Sequence, residues 1–375
     1  MRLVHVFNGT NDAYNNVKFL RQKGVEADLI VDTNDVGMSF PQWEDSFVDS
    51  SLIDVYHPTQ RWDVLNKNWS HPSWIHYWNR GRLFKQRIFS LSKLYKMVER
   101  YDLIQVMVND VFYLQSQHKP YILFDIGNLR CLPYRNDSWG SINRRECEKA
   151  KKVLFTNIDS IYGVRALKLR NAEFIPFAID TNKYSPKNSL IRQRYDYEIL
   201  LFSPTRHDWD VKGNDLLLKA FAKYLEHEKS ACLVLVDWGY DVPKAKQLIK
   251  QLKIQEKVVF VRPMCKMELI EFYNAADIVI DQFKIGCYGT TALEAMSCKK
   301  PVLMYVDAPA FKEVMGEVPP VANACSVSDI CDRLLELSHR KVRELLGVRS
   351  RRWVEKHYDA EKVADKYISI YEGAL

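Results

Sequence analysis

Short apolar, β-branched runs alternate with amphipathic helical patterns along most of this chain. The predicted strands lie at 3–7, 27–31, 103–108, 121–124, 153–156, 174–177, 199–202, 232–236, 258–261, 278–280 and 302–305. Between them, segments such as 214–226 place leucines and aromatic residues on one face at i, i+4 spacing. Strands separated by helices predict parallel sheets joined by crossovers, and therefore an α/β protein.

The strand and helix units form two sets, with a polar break at 185–194. We therefore predict two doubly wound, Rossmann-like domains, at 1–188 and 189–357, with a last helix at about 358–375 packing back on the first. Such sheets bind ligands at the carboxyl ends of their strands. Two facing sheets would thus form an interdomain cleft. Residues 34–80 lack a clear period and predict an irregular insertion with one helix.

Composition places the chain among globular proteins, with 47% hydrophobic and 27% charged residues. No apolar run approaches the roughly 18 residues that a membrane-spanning helix needs. Eight scattered cysteines without Cys-x-x-Cys spacing argue against a disulfide framework or metal site. We therefore expect a cytoplasmic protein. The net charge of +7 suits an anionic partner such as a nucleotide, a phospholipid surface or a nucleic acid.

The segment Gly286-Cys-Tyr-Gly-Thr-Thr-Ala-Leu-Glu294 reads as a glycine-containing loop that enters a helix. Thr291 and Glu294 have the spacing of a capping box. The free N–H groups at a helix start, with the helix dipole, suit a phosphate. Glu294, one turn in, is placed to accept hydroxyl groups. The segment indicates a nucleotide-sugar diphosphate site, unless Glu294 only caps the helix.

A second candidate segment follows the predicted strand 199–202 and carries Arg206 and Lys212. At a strand's carboxyl end these two cations could hold a diphosphate and stabilise the charge that develops on a leaving phosphate. The alternative is two solvated loop cations. Asp208 and Asp210 have the spacing of a metal-binding Asp-x-Asp. Because Arg206 and Lys212 already supply positive charge there, we expect no metal.

The second half of the chain resembles the GT-B-fold glycosyltransferases of family 4 (glycosyl transferases group 1). The stretches that carry the resemblance are Pro176-Phe-Ala-Ile-Asp-Thr-Asn-Lys-Tyr-Ser-Pro186, the loop from Arg206 to Lys212-Gly213, Glu268-Leu-Ile-Glu-Phe-Tyr-Asn-Ala-Ala-Asp-Ile-Val-Ile280, Tyr288-Gly-Thr-Thr-Ala-Leu-Glu-Ala-Met296 with Pro301-Val302, and Arg352-Trp-Val-Glu-Lys-His-Tyr358. They stand in the family's order and spacing. The first half matches only by strand pattern and by Asp125-Ile-Gly-Asn-Leu-Arg130.

The resemblance implies an EC 2.4 enzyme that moves a sugar from a UDP-, GDP- or ADP-linked donor to a hydroxyl of a glycan, a lipid-linked acceptor or a small molecule. Retention of anomeric configuration, metal independence and the absence of a cofactor are implied as well. Arg206 and Lys212 would bind the donor diphosphate, and Glu294 the ribose hydroxyls. Further donor contacts would come from Gly9, Arg262, Pro263, Met264, Gly286, Tyr288, Gly289, Thr290 and Thr291.

The chain departs from the family pattern at three positions. Gly286 replaces the first glutamate of the family's Glu-x7-Glu, which leaves the donor sugar open. Lys299 replaces a glycine after the helix, where a left-handed backbone would cost about 1 kcal/mol. Asp125 stands where the family often has a histidine beside the sugar. Asp125 then either hydrogen-bonds a sugar hydroxyl or merely ends a strand.

The segment 77–100 interleaves basic and apolar residues. The basic residues are Arg80, Arg82, Lys85, Arg87, Lys93, Lys96 and Arg100, and the apolar ones include Trp78, Leu83, Phe84, Ile88, Phe89, Leu91 and Leu94. This pattern allows an amphipathic helix on an anionic membrane, and with it peripheral contact at the inner membrane face. It equally fits a helix whose apolar face packs on the core.

Other functional classes remain open or are disfavoured. A GT-B nucleotide-sugar epimerase and a non-catalytic nucleotide- or glycan-binding relative are the alternatives. No nucleic-acid-binding module is recognisable, so we expect no nucleic-acid partner. A dinucleotide oxidoreductase is disfavoured because Phe7-Asn-Gly-Thr-Asn-Asp-Ala13 follows the first strand in place of Gly-x-Gly-x-x-Gly.

Overall fold

The computed structural model describes residues 1–35, 37–46, 69–80, 84–114 and 117–375. The chain divides into two compact units, Met1–Ala178 with Ala360–Leu375, and Ile179–Asp359. Each unit is built on one parallel sheet. The prediction of an α/β chain with two parallel, helix-flanked sheets is therefore confirmed. The sequence placed the boundary at 188/189, whereas the units divide after Ala178.

The sheet of the first unit has seven strands in the order β3-β2-β1-β4-β5-β6-β7. The strands are β1 Arg2–Val6, β2 Glu26–Asp32, β3 Ile75–Trp78, β4 Leu103–Met107, β5 Tyr121–Asp125, β6 Lys152–Phe155 and β7 Ala172–Phe174. β3 was not predicted, since it lies inside the segment interpreted as an irregular insertion. β7 ends at Phe174, where the sequence had placed the start of that strand.

Helices connect the parallel strands of the first unit, as crossovers between parallel strands require. They are α1 Asp12–Gln22, α2 Pro41–Asp45, α3 Phe84–Val98, α4 Ser138–Lys149, α5 Ser160–Ala166 and, at the carboxyl end of the chain, α14 Ala360–Ala374. α14 is held by buried bonds: Tyr371 donates to Gln105 Oε1 at 2.8 Å, and Asn16 donates to Tyr367 Oη at 3.0 Å.

The second unit has a six-stranded sheet in the order β10-β9-β8-β11-β12-β13. Its strands are β8 Ile199–Ser203, β9 Ala231–Val236, β10 Val258–Val261, β11 Ile278–Ile280, β12 Val302–Met304 and β13 Ala322–Asn323. Its helices are α6 Trp209–Lys212, α7 Asn214–Tyr224, α8 Val242–Gln251, α9 Lys266–Ala275, α10 Thr290–Ser297, α11 Ala308–Met315, α12 Val327–Ser338 and α13 Arg340–His357. The short β13 was not predicted.

Strand order fixes where a ligand can bind in the second unit. From β8 the chain moves outward to β9 and β10, then returns to β11 on the other side of β8. The loops that follow β8 and β11 therefore start at neighbouring strand ends, and the chain continues from them to strands on opposite sides. Such a reversal is the topological switch point at which open α/β sheets bind their ligands.

All eight cysteines are free thiols. Among the described helices, none combines the length and the apolar character that crossing a bilayer requires.

Candidate functional site

The loops after β8 and β11 are joined directly. The Phe283 N–H donates to the Lys212 carbonyl at 2.9 Å. Gly213, between α6 and α7, has a φ of +70°, and a Cβ there would lie 3.3 Å from the Phe283 Cβ. The glycine therefore allows the two loops to approach, and Lys212 is held at the switch point.

The loop after β8 carries Arg206 beside an aspartate that also starts a helix. Asp208 is the N-cap of α6 and accepts the Val211 N–H at 3.2 Å. Its Oδ2 accepts from Arg206 Nε at 3.2 Å and Nη2 at 3.0 Å. The Lys212 ammonium forms no ion pair with the described residues. The Lys212 ammonium can thus bind a ligand without breaking an ion pair. Arg206 would have to break its ion pair with Asp208, or keep it while also binding the ligand.

The Asp-x-Asp pair is explained by local structure. Asp208 is occupied by the helix cap and by Arg206, while Asp210 is exposed on the following turn. Within the described ranges no group of three His, Cys, Asp or Glu residues has metal-binding geometry.

α10 begins with an open amino end. Its N-cap is Gly289, and no side chain caps the free N–H groups. The predicted capping box of Thr291 and Glu294 is wrong, because the Glu294 side chain turns towards α9 instead. An uncapped helix start at the switch point is suited to a phosphate.

Glu294 lies in a buried polar cluster. Its side chain is 3% exposed, and its Oε1 forms an ion pair with the Lys266 ammonium. Its Oε2 accepts the Tyr273 hydroxyl at 2.9 Å. Burial, and then the nearby Glu294 charge, raise the pKa of Tyr273, so this hydroxyl stays a donor. The cluster holds the Glu294 carboxylate in one orientation beside the start of α10.

Sequence reasoning missed Lys266 and Tyr273. Both stand on α9, seven positions apart, which places them on the same helix face. A lysine on an otherwise apolar face was the available signal, because a buried ammonium needs a carboxylate partner.

The backbone conformation at Gly286 requires a glycine. Its φ is +75°, and a Cβ would lie 2.9 Å from Tyr305 Cε1 and 3.0 Å from Asp307 Cβ. Its carbonyl also accepts the Asp307 N–H at 2.7 Å. The loop conformation at Gly286 leaves no room for a side chain. A glutamate in the first position of Glu-x7-Glu would therefore require a different loop conformation. Lys299, with a φ of 62°, does adopt the left-handed conformation predicted for it.

We expect Gly286→Ala to lower the stability of the protein by about 2 to 4 kcal/mol, since it adds left-handed strain to overpacking. Gly289→Ala is the matched control, because its Cβ would meet nothing within 4 Å. Thermal or urea unfolding of both variants measures the difference. Equal stability of the two variants would contradict the geometry given for Gly286.

The side chain of Tyr288 belongs to the core. Its hydroxyl donates to Tyr358 Oη at 2.7 Å and accepts from Trp353 Nε1 at 3.2 Å. The prediction that Tyr288 binds the donor can hold only for its backbone. Thr290 and Thr291, at the start of α10, are partly exposed.

The loop 262–264 follows β10, two strands from β8 on the same sheet edge. Arg262 forms an ion pair with Glu268, with Nη2 and Oε1 2.6 Å apart. Met264 is buried. With the Arg262 guanidinium paired and Met264 covered, the loop offers mainly its backbone to a base.

Asp125 and Gly9 lie in the first unit. Asp125 is fully buried, and its carboxylate accepts the N–H groups of Gly127, Asn128 and Leu129 and the Ser160 hydroxyl. The Asp125 carboxylate therefore ends β5, which is the second of the two alternatives that the sequence left open. A Cβ at Gly9 would lie 2.7 Å from Met107 Sδ, so a larger residue there would displace the end of the Met107 side chain.

Another carboxyl at this edge of the first sheet was missed. Asp110 follows β4, and burial together with the charge of Asp35 raises its pKa to about 7. Arg80, which forms an ion pair with Asp32 at the end of β2, opposes that shift. A carboxyl with a pKa near 7 at a strand's carboxyl end suits acid–base chemistry.

The family described as glycosyl transferases group 1 matches residues 191–353. Mannosylfructose-phosphate synthase of Agrobacterium fabrum is 25% identical over 182 residues, which cover 45% of this chain and 40% of that protein. The N-acetyl-alpha-D-glucosaminyl L-malate synthase of Bacillus anthracis is 26% identical over 175 residues, covering 44% of this chain and 43% of that protein. This chain therefore matches less than half the length of these two relatives.

Solved structures share the fold over the whole chain. Anabaena Alr3699/HepE, in complex with UDP and glucose, superposes with a TM-score of 0.73 at 13% identity and covers 99% of both chains. Sucrose-phosphate synthase from Thermosynechococcus elongatus superposes with a TM-score of 0.73 at 16% identity, covering 100% of this chain and 99% of that one. At these identities the likeness concerns the fold.

Proposed function

We propose that this chain, whose residues 191–353 match the family described as glycosyl transferases group 1, transfers a sugar from a nucleoside-diphosphate sugar to an acceptor hydroxyl. The observation that carries the proposal is the switch point of the second unit. Lys212 follows β8, the uncapped start of α10 follows the adjacent strand β11, and the oriented Glu294 carboxylate lies one turn into α10. A cation and a helix start suit the diphosphate, and a carboxylate suits the ribose diol.

The proposed chemistry needs charge stabilisation at the leaving group. When the bond between the sugar and the β-phosphate breaks, negative charge grows on the diphosphate. Lys212, Arg206 and the N–H groups at the start of α10 would be stronger partners for that product than for the donor. We therefore propose metal-independent, cofactor-free transfer with retention of configuration. The acceptor would be a glycan, a lipid-linked molecule or a small hydroxyl compound.

Asp110 of the first unit is a further candidate for acid–base chemistry. Burial, and then the charge of Asp35, raise the pKa of its carboxyl to about 7. A group with such a pKa can exchange a proton with a hydroxyl at low cost. Asp125, being fully buried and bonded by backbone N–H groups, is not part of this proposal.

A ligand screen tests the proposed function. Thermal shift and donor consumption are measured with UDP, GDP, ADP and their common sugars, each with and without chelator. UDP-glucose comes first, because Anabaena Alr3699/HepE was solved in complex with it. We expect one nucleotide series to stabilise the protein, with slow donor hydrolysis that the chelator leaves unchanged. No stabilisation by any nucleotide would contradict the proposal.

The alternatives give different products in that screen. An epimerase converts the donor into an isomeric nucleotide sugar without releasing the nucleotide. A non-catalytic binding protein is stabilised by the nucleotide but consumes no donor with any acceptor.

We further propose that helix α3 contacts an anionic membrane. Phe89 on this helix is 79% exposed, and Lys93 and Lys96 are exposed next to it, while Leu94 and Val98 face the core. A large apolar side chain beside two ammonium groups fits the headgroup region of an anionic bilayer. Arg82 and the side chains of Lys85 and Arg87, which the sequence analysis included, lie outside the described residues.

We expect Lys93→Glu/Lys96→Glu to abolish sedimentation with vesicles of phosphatidylglycerol and phosphatidylcholine, because each cation near the surface contributes about 1 kcal/mol. Lys250→Glu/Lys366→Glu is the control, since it changes net charge equally at exposed sites elsewhere. Equal sedimentation of the two double variants would contradict membrane contact through α3.

A further inference from the structure

The loop after β9 lies against the segment that carries Arg206. β8 and β9 are neighbouring parallel strands, so the segments that follow them leave the same edge of the sheet. We call residues 237–241, which follow β9, the β9 loop, and residues 204–209, which follow β8, the Arg206 segment. The roles proposed so far for the donor site do not involve the β9 loop.

Hydrogen bonds join the β9 loop to the Arg206 segment on both sides of Arg206. Before it, the Pro204 carbonyl accepts Trp238 Nε1–H at 2.9 Å. After it, the His207 N–H donates to the Trp238 carbonyl at 2.8 Å, and the His207 carbonyl accepts the Asp241 N–H at 3.1 Å. The backbone that carries the guanidinium is therefore held from both directions.

The side chain of Asp241 adds a further bond to the start of α6. Its Oδ2 accepts the Trp209 N–H at 2.8 Å. Its Oδ1 forms an ion pair with the Lys244 ammonium at 2.6 Å. The Lys244 ammonium, and then the Trp209 N–H, hold the pKa of the Asp241 carboxyl below its usual range. Asp241 thus holds the segment through both its backbone and its carboxylate.

The close approach of the two segments depends on Gly239. Its φ is +110°, and a Cβ there would lie 2.4 Å from both the backbone nitrogen and the carbonyl oxygen of His207. A side chain at this position would collide with the backbone of the Arg206 segment. The β9 loop is therefore shaped to fit that segment.

The contact fixes the backbone while leaving the guanidinium accessible. Thr205 and His207 are 6% and 0% exposed, whereas the Arg206 side chain is 41% exposed. A binding group on a fixed backbone loses less conformational freedom when it meets its ligand. Its placement also decides how well it stabilises charge, since a shift of about 1 Å can cost a large factor in rate.

We propose that the β9 loop is a positioning element for the donor diphosphate, in which Asp241 and Trp238 hold the Arg206 segment in its binding position. The inference rests on the proposed function, because it takes Arg206 as a diphosphate-binding group. Asp241 and Trp238 are positioning residues that act through Arg206. The negative charge of Asp241 has no part in holding the diphosphate.

A double-mutant cycle tests the inference. Affinities for UDP, GDP and ADP are measured for wild type, Asp241→Ala, Arg206→Ala and the double variant. We expect Asp241→Ala to weaken binding about tenfold when Arg206 is present and less than about twofold when it is alanine. Trp238→Phe, which removes only the bond to the Pro204 carbonyl, should weaken binding about threefold with the same dependence on Arg206.

Two control variants separate the hydrogen bond from the charge. Asp241→Asn removes the same charge as Asp241→Ala but keeps an oxygen that can accept the Trp209 N–H, so it should bind within about twofold of wild type. Asp237→Ala removes an exposed acid of the β9 loop whose carboxylate pairs with Lys246 at 2.9 Å. It should bind like wild type.

A general loss of stability gives a different pattern, because it weakens binding equally whether or not Arg206 is present. Thermal unfolding of the ligand-free variants shows which are folded at the temperature of the binding measurement, and Trp238→Phe carries the test if Asp241→Ala is not. Equal weakening in both backgrounds, no weakening in either, or Asp241→Asn as weak as Asp241→Ala would overturn the inference. If wild type binds none of the three nucleotides, the proposed function fails first, and this inference fails with it.

Discussion

Glu294→Ala is expected to abolish donor turnover and also to destabilise the protein by about 3 to 5 kcal/mol. The stability loss follows from the Lys266 ammonium, which has a side-chain exposure of 14% and pairs with Glu294. Removing the carboxylate leaves that charge buried without its partner. The turnover loss follows separately from the proposed role of Glu294 in binding the ribose hydroxyls.

An apolar replacement of the whole cluster separates the two effects. Lys266→Met/Tyr273→Phe/Glu294→Leu removes the three polar groups of the cluster together, so none of the three is left buried without its partner. We expect stability close to wild type and no donor turnover. Glu317→Ala, which breaks an exposed ion pair with Lys356, should cost less than about 1 kcal/mol. Donor turnover by a stably folded triple variant would contradict the role given to Glu294.

We expect Lys212→Ala and Arg206→Ala each to lower turnover about 10²- to 10³-fold. This is the effect of removing one group that stabilises a developing anion. The fold should tolerate both changes. Asp208 keeps its bond to the Val211 N–H when Arg206 is removed, and Lys212 forms no ion pair with the described residues. Steady-state kinetics with the donor identified in the screen gives the measurement.

Two comparisons make this prediction specific. Arg206→Lys should remain impaired, because a point charge does not reproduce the planar fork of a guanidinium. Lys219→Ala, which removes a cation paired with Asp215 on the neighbouring helix α7, should retain wild-type turnover. Loss of activity in Lys219→Ala would point to a general effect of charge in place of a diphosphate-binding role.

The sequence was sufficient for the fold wherever a buried strand reads as an apolar run. β9 is buried at every position, and the pattern placed it within one residue of its observed bounds. β3 was not predicted from the sequence, because His76 and Tyr77 are only partly buried. Ile75–Trp78 therefore shows neither an apolar run nor a regular alternation. β13 has only Ala322 and Asn323 and is too short to show a period.

The sequence predicts those residues of the candidate site that directly follow a recognisable strand. Arg206, Lys212 and Gly289 stand after strands that sequence alone could place, so their common edge was foreseeable. The partners of Glu294 were not foreseeable. Lys266 reaches Glu294 through the packing of α9 against α10, which no local spacing encodes. Asp125 likewise looked available until its buried backbone bonds were known.

The most direct test of the central claim is a crystal structure of the protein with the nucleoside diphosphate that the screen identifies. The account predicts diphosphate density between the Lys212 ammonium and the start of α10 at Gly289–Thr291, with the ribose hydroxyls within hydrogen-bond distance of Glu294. Nucleotide bound at another strand edge, or a ribose remote from Glu294, would contradict it.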